Sequence, residues 1–233
     1  SSAVIASITG FGLSGPYKHF KAPSIVCSAM GGVMYLCGSP SKAPIAELNN
    51  HPYHLASAFA ACGVLLALRN RGLTGISQAV DVSSHDVQCA QQHMVVNYSA
   101  NSMILSRSGS RTPIGGGMPY GVYPTKDGYC YLVIISTAHW RSFVKWIGSP
   151  EALTDPIWDN RHIRIANSDL IEEITAEFTK TMSTSDLFHE GQARHITVAP
   201  INTLDEYIKD VHTRERGAFV RSFHPSIGDI SMI

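Results

Sequence analysis

The first hundred residues are dominated by continuous apolar runs, in patterns that predict buried strands and helices. Residues 3–9 are β-branched and apolar, as in a strand that is covered on both faces of a parallel sheet. Residues 54–70 are apolar or small on nearly every side, which predicts a helix buried on most sides. Residues 78–83 alternate like a strand, and Ser84 starts a helix that extends to about residue 101.

A shorter apolar stretch lies between the first strand and the long helix. Residues 24–37 are small and apolar, and we interpret them as a buried helix that breaks near Gly31-Gly32. Together with the flanking strands this order predicts an α/β arrangement for residues 1–105.

The second half has a different pattern, which predicts a smaller α+β domain. Two short strands flank a turn at 126–128, as in a β-hairpin. The remaining segments are predicted as helices over 138–148, 168–182, 185–194 and 204–212, an extended piece over 198–204 and a strand over 219–225. The predicted domains are therefore 1–105, a linker over 106–119, the small domain over 120–218 and a return segment that starts at 219.

Composition excludes several classes of protein. The chain has 233 residues with 18 basic and 18 acidic side chains, which argues against a general nucleic-acid binder. We find no apolar run of the roughly 18–20 residues that a membrane helix needs. Charged residues make up only 15%, below the usual value of about 25%, so we expect much of the surface to be covered. The chain begins without Met, and we interpret it as the interior of a longer protein.

The cysteines and histidines suggest neither a disulfide framework nor a metal site. Five cysteines at irregular spacing form no CxxC pair, which indicates a reducing compartment and a cytoplasmic location. We expect Cys62 and Cys89 to be buried thiols, since both occur in apolar helical stretches. The eleven histidines show no metal-ligand spacing, so no metal is expected.

Two glycine-rich segments are candidates for ligand contact. GFGLSG (10–15) resembles a dinucleotide fingerprint only loosely, because Pro16 and a polar loop follow where a helix is required. Gly115, Gly116 and Gly117 form a sharper signal with two readings. They are either a plain linker or a loop whose backbone N–H groups close over a reacting centre.

Several segments in order resemble the class III coenzyme A transferases, the family that contains formyl-CoA transferase and carnitine CoA-transferase (CaiB/BaiF-like). The matching segments are SITGFGLSGPY (7–17), AMGGVMYLCG (29–38), GVLLALRNRGLTG (63–75), QAVDVS (78–83), GVYPTKDGYCYLVI (121–134), the pair Arg161 and Asn167, and ITVAPINTLDEYIKD (196–210). No single motif is decisive, but their order and spacing extend over essentially the whole chain.

The resemblance implies a fold and an activity. It implies part of a Rossmann-like large domain followed by a small domain, in two chains interlocked as a homodimer. The implied activity is transfer of CoA from an acyl-CoA to a small carboxylic acid through a carboxylate nucleophile. Coenzyme A would be a substrate, with no metal, nucleic-acid or membrane partner. Lys21 matches a CoA-contacting lysine, and Gly115, Gly116 and Gly117 match the family's glycine loop.

The family's nucleophilic aspartate position is occupied here by Tyr53. A phenol is almost entirely protonated at neutral pH and forms no acyl anhydride of the family kind. Glu47 is the other carboxylate nearby and is the candidate substitute. The alternatives are therefore a CoA-transferase with altered chemistry, a catalytically silent CoA-binding subunit, and a CoA-ester lyase or isomerase that uses the Tyr53 hydroxyl as an acid.

Overall fold

The computed structural model describes residues 3–90, 98–102, 104–111 and 117–232. The chain divides into two compact units, Ser1–Ser110 and Arg111–Ile233. Both strands and helices occur in each unit, so the mixed α/β character predicted from the sequence is confirmed. Gly115 and Gly116 lie outside the described residues.

The first unit is built on a two-stranded parallel sheet with helices packed against it. Its elements are β1 (Ile5–Thr9), α1 (Ser24–Met30), α2 (Val33–Leu36), α3 (His51–Thr74), β2 (Ala79–Ser83) and α4 (Ser84–Ala90). The register runs from Ile5 opposite Ala79 to Thr9 opposite Ser83. Parallel strands end at the same edge of a sheet, so the loop after β1 and the start of α4 lie side by side.

Hydrogen bonds hold the loop after β1 against the end of β2. The Leu13 N–H donates to Asp81 Oδ2 at 2.9 Å, and the His85 N–H donates to the Gly10 carbonyl at 3.0 Å. Gly12 has a φ of 82°, and a side chain there would approach Asp81 Oδ2 to 3.5 Å. The glycines of this loop therefore serve a tight backbone turn at the carboxyl end of the sheet.

Helix α3 is longer than predicted and much less buried. It packs through Ala56 and Ala60 onto Val82 and Val87, a small apolar cluster. Most of its large apolar side chains are exposed, against the prediction of burial on most sides; they are Phe59, Leu65, Leu66, Leu68 and Leu73. Their apolar character predicts a covering surface, and the described part of this chain does not provide one.

The length and composition of α3 also change the expectation about membranes. Within the described ranges, α3 is a helix long and apolar enough to cross a membrane by those two criteria alone. The sequence-based expectation that no such segment exists is therefore wrong. Core helices pass the same test, so the finding carries little weight.

The glycine break that was predicted in the 24–37 segment is confirmed. Helix α1 ends at Gly31 and α2 begins after Gly32, which has a φ of 84°. A Cβ on Gly31 would lie 2.6 Å from Gln88 Cβ. Glycine is therefore needed for the close approach of α1 to α4.

The second unit has a three-stranded antiparallel sheet, a set of helices and a separate hairpin. Its elements are β3 (Tyr120–Pro124), β4 (Tyr129–Val133), α5 (Thr137–Trp146), α6 (Arg161–Ala166), α7 (Ser168–Thr179), α8 (Thr184–Ala193), β5 (Thr197–Pro200), α9 (Leu204–Lys209), α10 (Val211–Glu215), β6 (Val220–His224) and β7 (Gly228–Met232). Two short 3₁₀ helices, Glu151–Leu153 and Pro156–Asp159, lie between α5 and α6.

The sheet order is β3-β4-β5, and the predicted turn between β3 and β4 is confirmed. The Thr125 N–H donates to the Gly128 carbonyl at 2.9 Å and closes that turn. One face of the sheet contributes Tyr123, Cys130, Leu132 and Val198 to a large apolar core shared with α5, α7 and α8. Strands β6 and β7 pair with each other in a separate hairpin.

The five cysteines are all free, but one of them is more exposed than the sequence predicted. Cys62 is exposed on α3 and Cys89 is half-buried, so the prediction of burial is wrong for Cys62. Cys27 and Cys130 are fully buried, and burial raises the pKa of the Cys130 thiol to about 11. Loss of solvent disfavours the charged thiolate, so these buried thiols are inert packing groups.

Candidate active site

Tyr53 lies in the first turn of α3, and its hydroxyl is used in a structural hydrogen bond. The Tyr53 O–H donates to the Ala22 carbonyl at 3.1 Å. The residue is 40% exposed. Ala22 directly follows Lys21, which is exposed. The structure thus places the segment that carries Lys21 against the amino end of α3.

Glu47 lies in the loop before α3, where three side chains converge on its carboxylate. Ser28 Oγ donates to Glu47 Oε1 at 3.1 Å. Glu47 Oε2 lies 2.9 Å from His51 Nδ1 and 3.5 Å from Gln88 Nε2. The Glu47 side chain is only 13% exposed. A carboxylate that accepts several hydrogen bonds has a fixed orientation, and its oxygens are satisfied where water is scarce.

The neighbours of Glu47 come from three different elements. Ser28 is on α1, His51 begins α3 and Gln88 is on α4. Gly31 allows α1 and α4 to approach closely, and this contact brings Ser28 and Gln88 to the same carboxylate. Gln88 is fully buried, and its Oε1 has no hydrogen-bond partner among the described residues. Its Nε2 group faces Glu47 Oε2, at 3.5 Å.

The carboxylate lies in a pocket at the amino end of α3. The pocket has a volume of about 310 Å³ and is lined by Ser24, Ile25, Ser28, Ala46, Glu47, Asn49, Asn50 and Pro52. Asn49 and Asn50 have φ values of 56° and 51°, in the left-handed region, which asparagine adopts more readily than most non-glycine residues.

The sequence did not predict the three residues that contact Glu47. Ser28 and Gln88 are polar residues in otherwise apolar runs, SIVCSAM and VQCA, and this is the signal that points to them. His51 is four residues after Glu47 and comes from the same histidine-rich segment as His54. A polar residue in an apolar run predicts a buried polar contact, but its partner depends on the fold.

Of the predicted glycine loop, Gly117 is described and belongs to the second unit. A Cβ on Gly117 would lie 2.6 Å from the Ile134 carbonyl oxygen, at the end of β4. The neighbouring Met118 N–H donates to the same carbonyl at 3.0 Å. Gly117 is thus required by close backbone packing, which neither reading of the triplet had anticipated.

No group of three or more potential metal ligands is found among the residues that the structure describes. The candidate site therefore consists of the Glu47 pocket, Tyr53 and the Lys21 segment, all within the first unit.

The sequence of this chain matches the model of a known protein family along nearly its whole length. The model of CoA-transferase family III matches residues 2–233. The chain belongs to this family. The resemblance inferred from the ordered segments is therefore confirmed.

Curated relatives are CoA-transferases of moderate similarity. The alpha subunit of succinyl-CoA--L-malate CoA-transferase of Chloroflexus aurantiacus is 25% identical over 233 residues, covering 97% of this chain and 53% of the relative. Acetyl-CoA:oxalate CoA-transferase of Acetobacter aceti is 29% identical over 225 residues, covering 94% of this chain and 56% of the relative. The chain therefore spans about half the length of the curated relatives it matches.

Solved structures agree on the fold. A CAIB/BAIF family protein from Brucella suis superposes with a TM-score of 0.78 at 25% identity, over 94% of this chain and 58% of that one. Rv3272 from M. tuberculosis superposes with a TM-score of 0.82 at 18% identity, over 99% of this chain and 60% of that one. The second likeness concerns the fold alone.

Proposed function

We propose that this protein moves CoA between an acyl-CoA and a small carboxylic acid, with Glu47 as the carboxylate that takes the acyl group. The observation that carries the proposal is the set of donors around Glu47, with Ser28 at 3.1 Å and His51 at 2.9 Å. Family membership supports the reaction class. Tyr53 occupies the expected nucleophile position but uses its hydroxyl to hold Ala22.

The chemistry balances with Glu47 as the nucleophile. A Glu47 carboxylate oxygen attacks the carbonyl carbon of the thioester, and the C–S bond breaks. This step releases CoA as the thiolate and leaves a mixed anhydride between Glu47 and the acyl group. The thiolate then attacks the Glu47 carbonyl, which releases the donor acid and leaves a glutamyl thioester of CoA. The acceptor carboxylate attacks that thioester to form a second anhydride, and CoA thiolate returns to the acceptor acyl carbon. Glu47 is thereby regenerated.

Three further elements belong to the same proposal. Lys21 binds a phosphate of CoA, because an exposed lysine cation suits that group. Two chains form a homodimer, which light scattering of the purified protein measures directly. The protein is located in the cytoplasm, and its five free cysteines suit such a reducing compartment.

Covalent trapping tests the assignment of Glu47. The protein is incubated with an acyl-CoA and quenched with hydroxylamine, which converts an anhydride or thioester on a carboxylate into a hydroxamate. Peptide mass spectrometry is expected to find the hydroxamate on Glu47. Glu47→Gln should lose the adduct and lower transfer by at least about a thousandfold, as removal of a nucleophile does.

Two control variants separate the competing assignments. Tyr53→Phe removes only the bond to Ala22 and should cost about 0.5–1.5 kcal/mol of stability while transfer continues. Glu151→Gln, at an exposed glutamate of the second unit, should leave transfer unchanged. A hydroxamate on another residue, or CoA binding without any adduct across a panel of acyl-CoAs, would refute Glu47 as the nucleophile. The latter result favours a silent CoA-binding subunit.

A further inference from the structure

The lining of the Glu47 pocket bears on which acyl groups it accepts. Besides Glu47 it presents two hydroxyls and two carboxamides, from Ser24, Ser28, Asn49 and Asn50. Asn50 caps α3 without a side-chain hydrogen bond, so its amide is not committed to the helix. Such groups form hydrogen bonds with a neutral polar ligand by offering both donors and acceptors.

The charge of the pocket disfavours a second anionic group. Among the described residues that line it, Glu47 is the only ionisable one. The basic side chain in contact with Glu47 is His51, and its Nδ1 already faces Oε2. A distal carboxylate on the acyl group would therefore face Glu47 with no lining cation to pair with, and like charges at short distance repel.

The volume limits the length of the acyl chain. At about 310 Å³ the pocket is at the lower end of the range for ligand sites. Asn49 and Asn50 hold consecutive left-handed backbone conformations at its edge, so this boundary has a defined geometry. A four-carbon acyl group fits this space, whereas a sixteen-carbon fatty acyl chain exceeds it.

We propose that the pocket selects the acyl group of a short, uncharged hydroxyacyl-CoA, through hydrogen bonds from Ser24, Asn49 and Asn50. The proposal rests on the proposed transferase function and specifies its substrate class. It predicts discrimination between acyl groups of equal length by hydroxylation and charge.

An exchange reaction measures this discrimination without knowledge of the natural acceptor. The protein is given an acyl-CoA together with the isotope-labelled acid of the same acyl group, and label incorporation into the thioester is followed. Three four-carbon groups are compared, namely 3-hydroxybutyryl, butyryl and succinyl, with palmitoyl as the long-chain case. The 3-hydroxybutyryl group should exchange at least about tenfold faster than each of the others, a difference of about 1.4 kcal/mol.

Variants at the pocket test the cause of the preference. Ser24→Ala should reduce the advantage of 3-hydroxybutyryl over butyryl, because one hydrogen-bonding group is lost. Ser24→Lys should raise succinyl exchange relative to 3-hydroxybutyryl, because it adds the missing cation. Ser226→Lys, in the turn between β6 and β7, is the matched control and should leave the ratio unchanged.

The outcomes separate the two proposals. Exchange that is fastest with butyryl, succinyl or palmitoyl overturns the substrate class while the transferase function stands. Exchange with none of the four, together with no hydroxamate on Glu47, overturns both. If Ser24→Lys unfolds, as circular dichroism would reveal, the Ser24→Ala ratio and the wild-type preference still decide the matter.

Discussion

Arg164 in α6 is a charged residue buried completely within the second unit. Its Nη1 donates to the carbonyls of Trp158 and Asp159 at 2.6 and 3.1 Å. Its guanidinium carbon lies 5.0 Å from the centre of the Trp140 ring. Burial lowers the pKa of Arg164, because the charged form loses solvent. The residue therefore joins the second 3₁₀ helix to the core.

Replacement of Arg164 should destabilise the protein strongly. Arg164→Ala removes the donors for two carbonyls and a large packed side chain, but also two buried groups, Nε and Nη2, that have no partner among the described residues. We therefore expect a net loss of about 2–4 kcal/mol in unfolding free energy. Arg161→Ala, at an exposed position of the same helix, should change it by less than about 0.5 kcal/mol. Urea unfolding followed by tryptophan fluorescence measures both. Equal effects of the two substitutions would contradict the structural role of Arg164.

Sequence reasoning reached some site residues but not their surroundings. Tyr53 and Glu47 could be identified because both lie near a position that the family resemblance marks. Ser28 and Gln88 could not, since they meet Glu47 only through the close approach of two helices at Gly31. A contact of that kind depends on backbone distances that no local pattern encodes.

At the scale of elements, two glycines of helix α3 have opposite roles. A Cβ on Gly63 would lie 2.8 Å from Val80 Cγ1, so this glycine sets the distance between α3 and β2. A Cβ on Gly72 would meet nothing within 4 Å. The effect of a larger residue is therefore determined by packing against β2 at Gly63, and by helix propensity alone at Gly72.

The same substitution at the two positions should therefore change stability in opposite directions. Gly63→Ala forces α3 away from β2 and should cost about 1–3 kcal/mol. Gly72→Ala reduces the freedom of the unfolded chain and should add about 0.5–1 kcal/mol. Each variant serves as the control for the other in denaturant titrations followed by circular dichroism. Two changes of the same sign would show that α3 does not pack on β2 through Gly63.

The sequence pattern of α3 correctly predicted a helix, but it did not predict how much of the helix is exposed. A run of apolar and small residues specifies a helix, and the helix extends from His51 to Thr74. The same run suggested burial on most sides, but Leu65, Leu66 and Leu73 are exposed. Helix formation depends on local backbone preferences, whereas burial depends on what else packs against the helix.

At the scale of the whole chain, the two units have cores of unequal size. Among the described residues of the first unit, the buried core cluster consists of small and β-branched side chains, Ala56, Ala60, Val82 and Val87, with Leu55 and Val80 packed against it. The core of the second unit includes Trp140, Phe143, Leu132 and Ile171, all nearly or fully buried. Larger buried apolar area gives larger stabilisation, so local stability should differ between the units.

Hydrogen exchange should detect this difference. In the 233-residue chain, amides of β4 are expected to exchange at least about tenfold more slowly than those of β2, because opening β4 exposes more apolar surface. Exchange followed by peptide mass spectrometry at neutral pH measures both strands in one experiment. The chain unfolded in denaturant supplies the intrinsic rates as a control. Equal or greater protection in β2 would mean that the small apolar cluster on α3 does not limit the local stability of the first unit.

The parallel pairing of β1 with β2 also leads us to expect a particular order of folding. Ile5 pairs with Ala79, whereas Pro124 pairs with Tyr129 across a tight turn. Closing a long loop costs more entropy than closing a short one, and non-local contacts slow folding. We therefore expect the β3–β4 hairpin to form before the sheet of the first unit. The pocket that holds Glu47 depends on elements around that sheet, so we expect it to be completed after the hairpin.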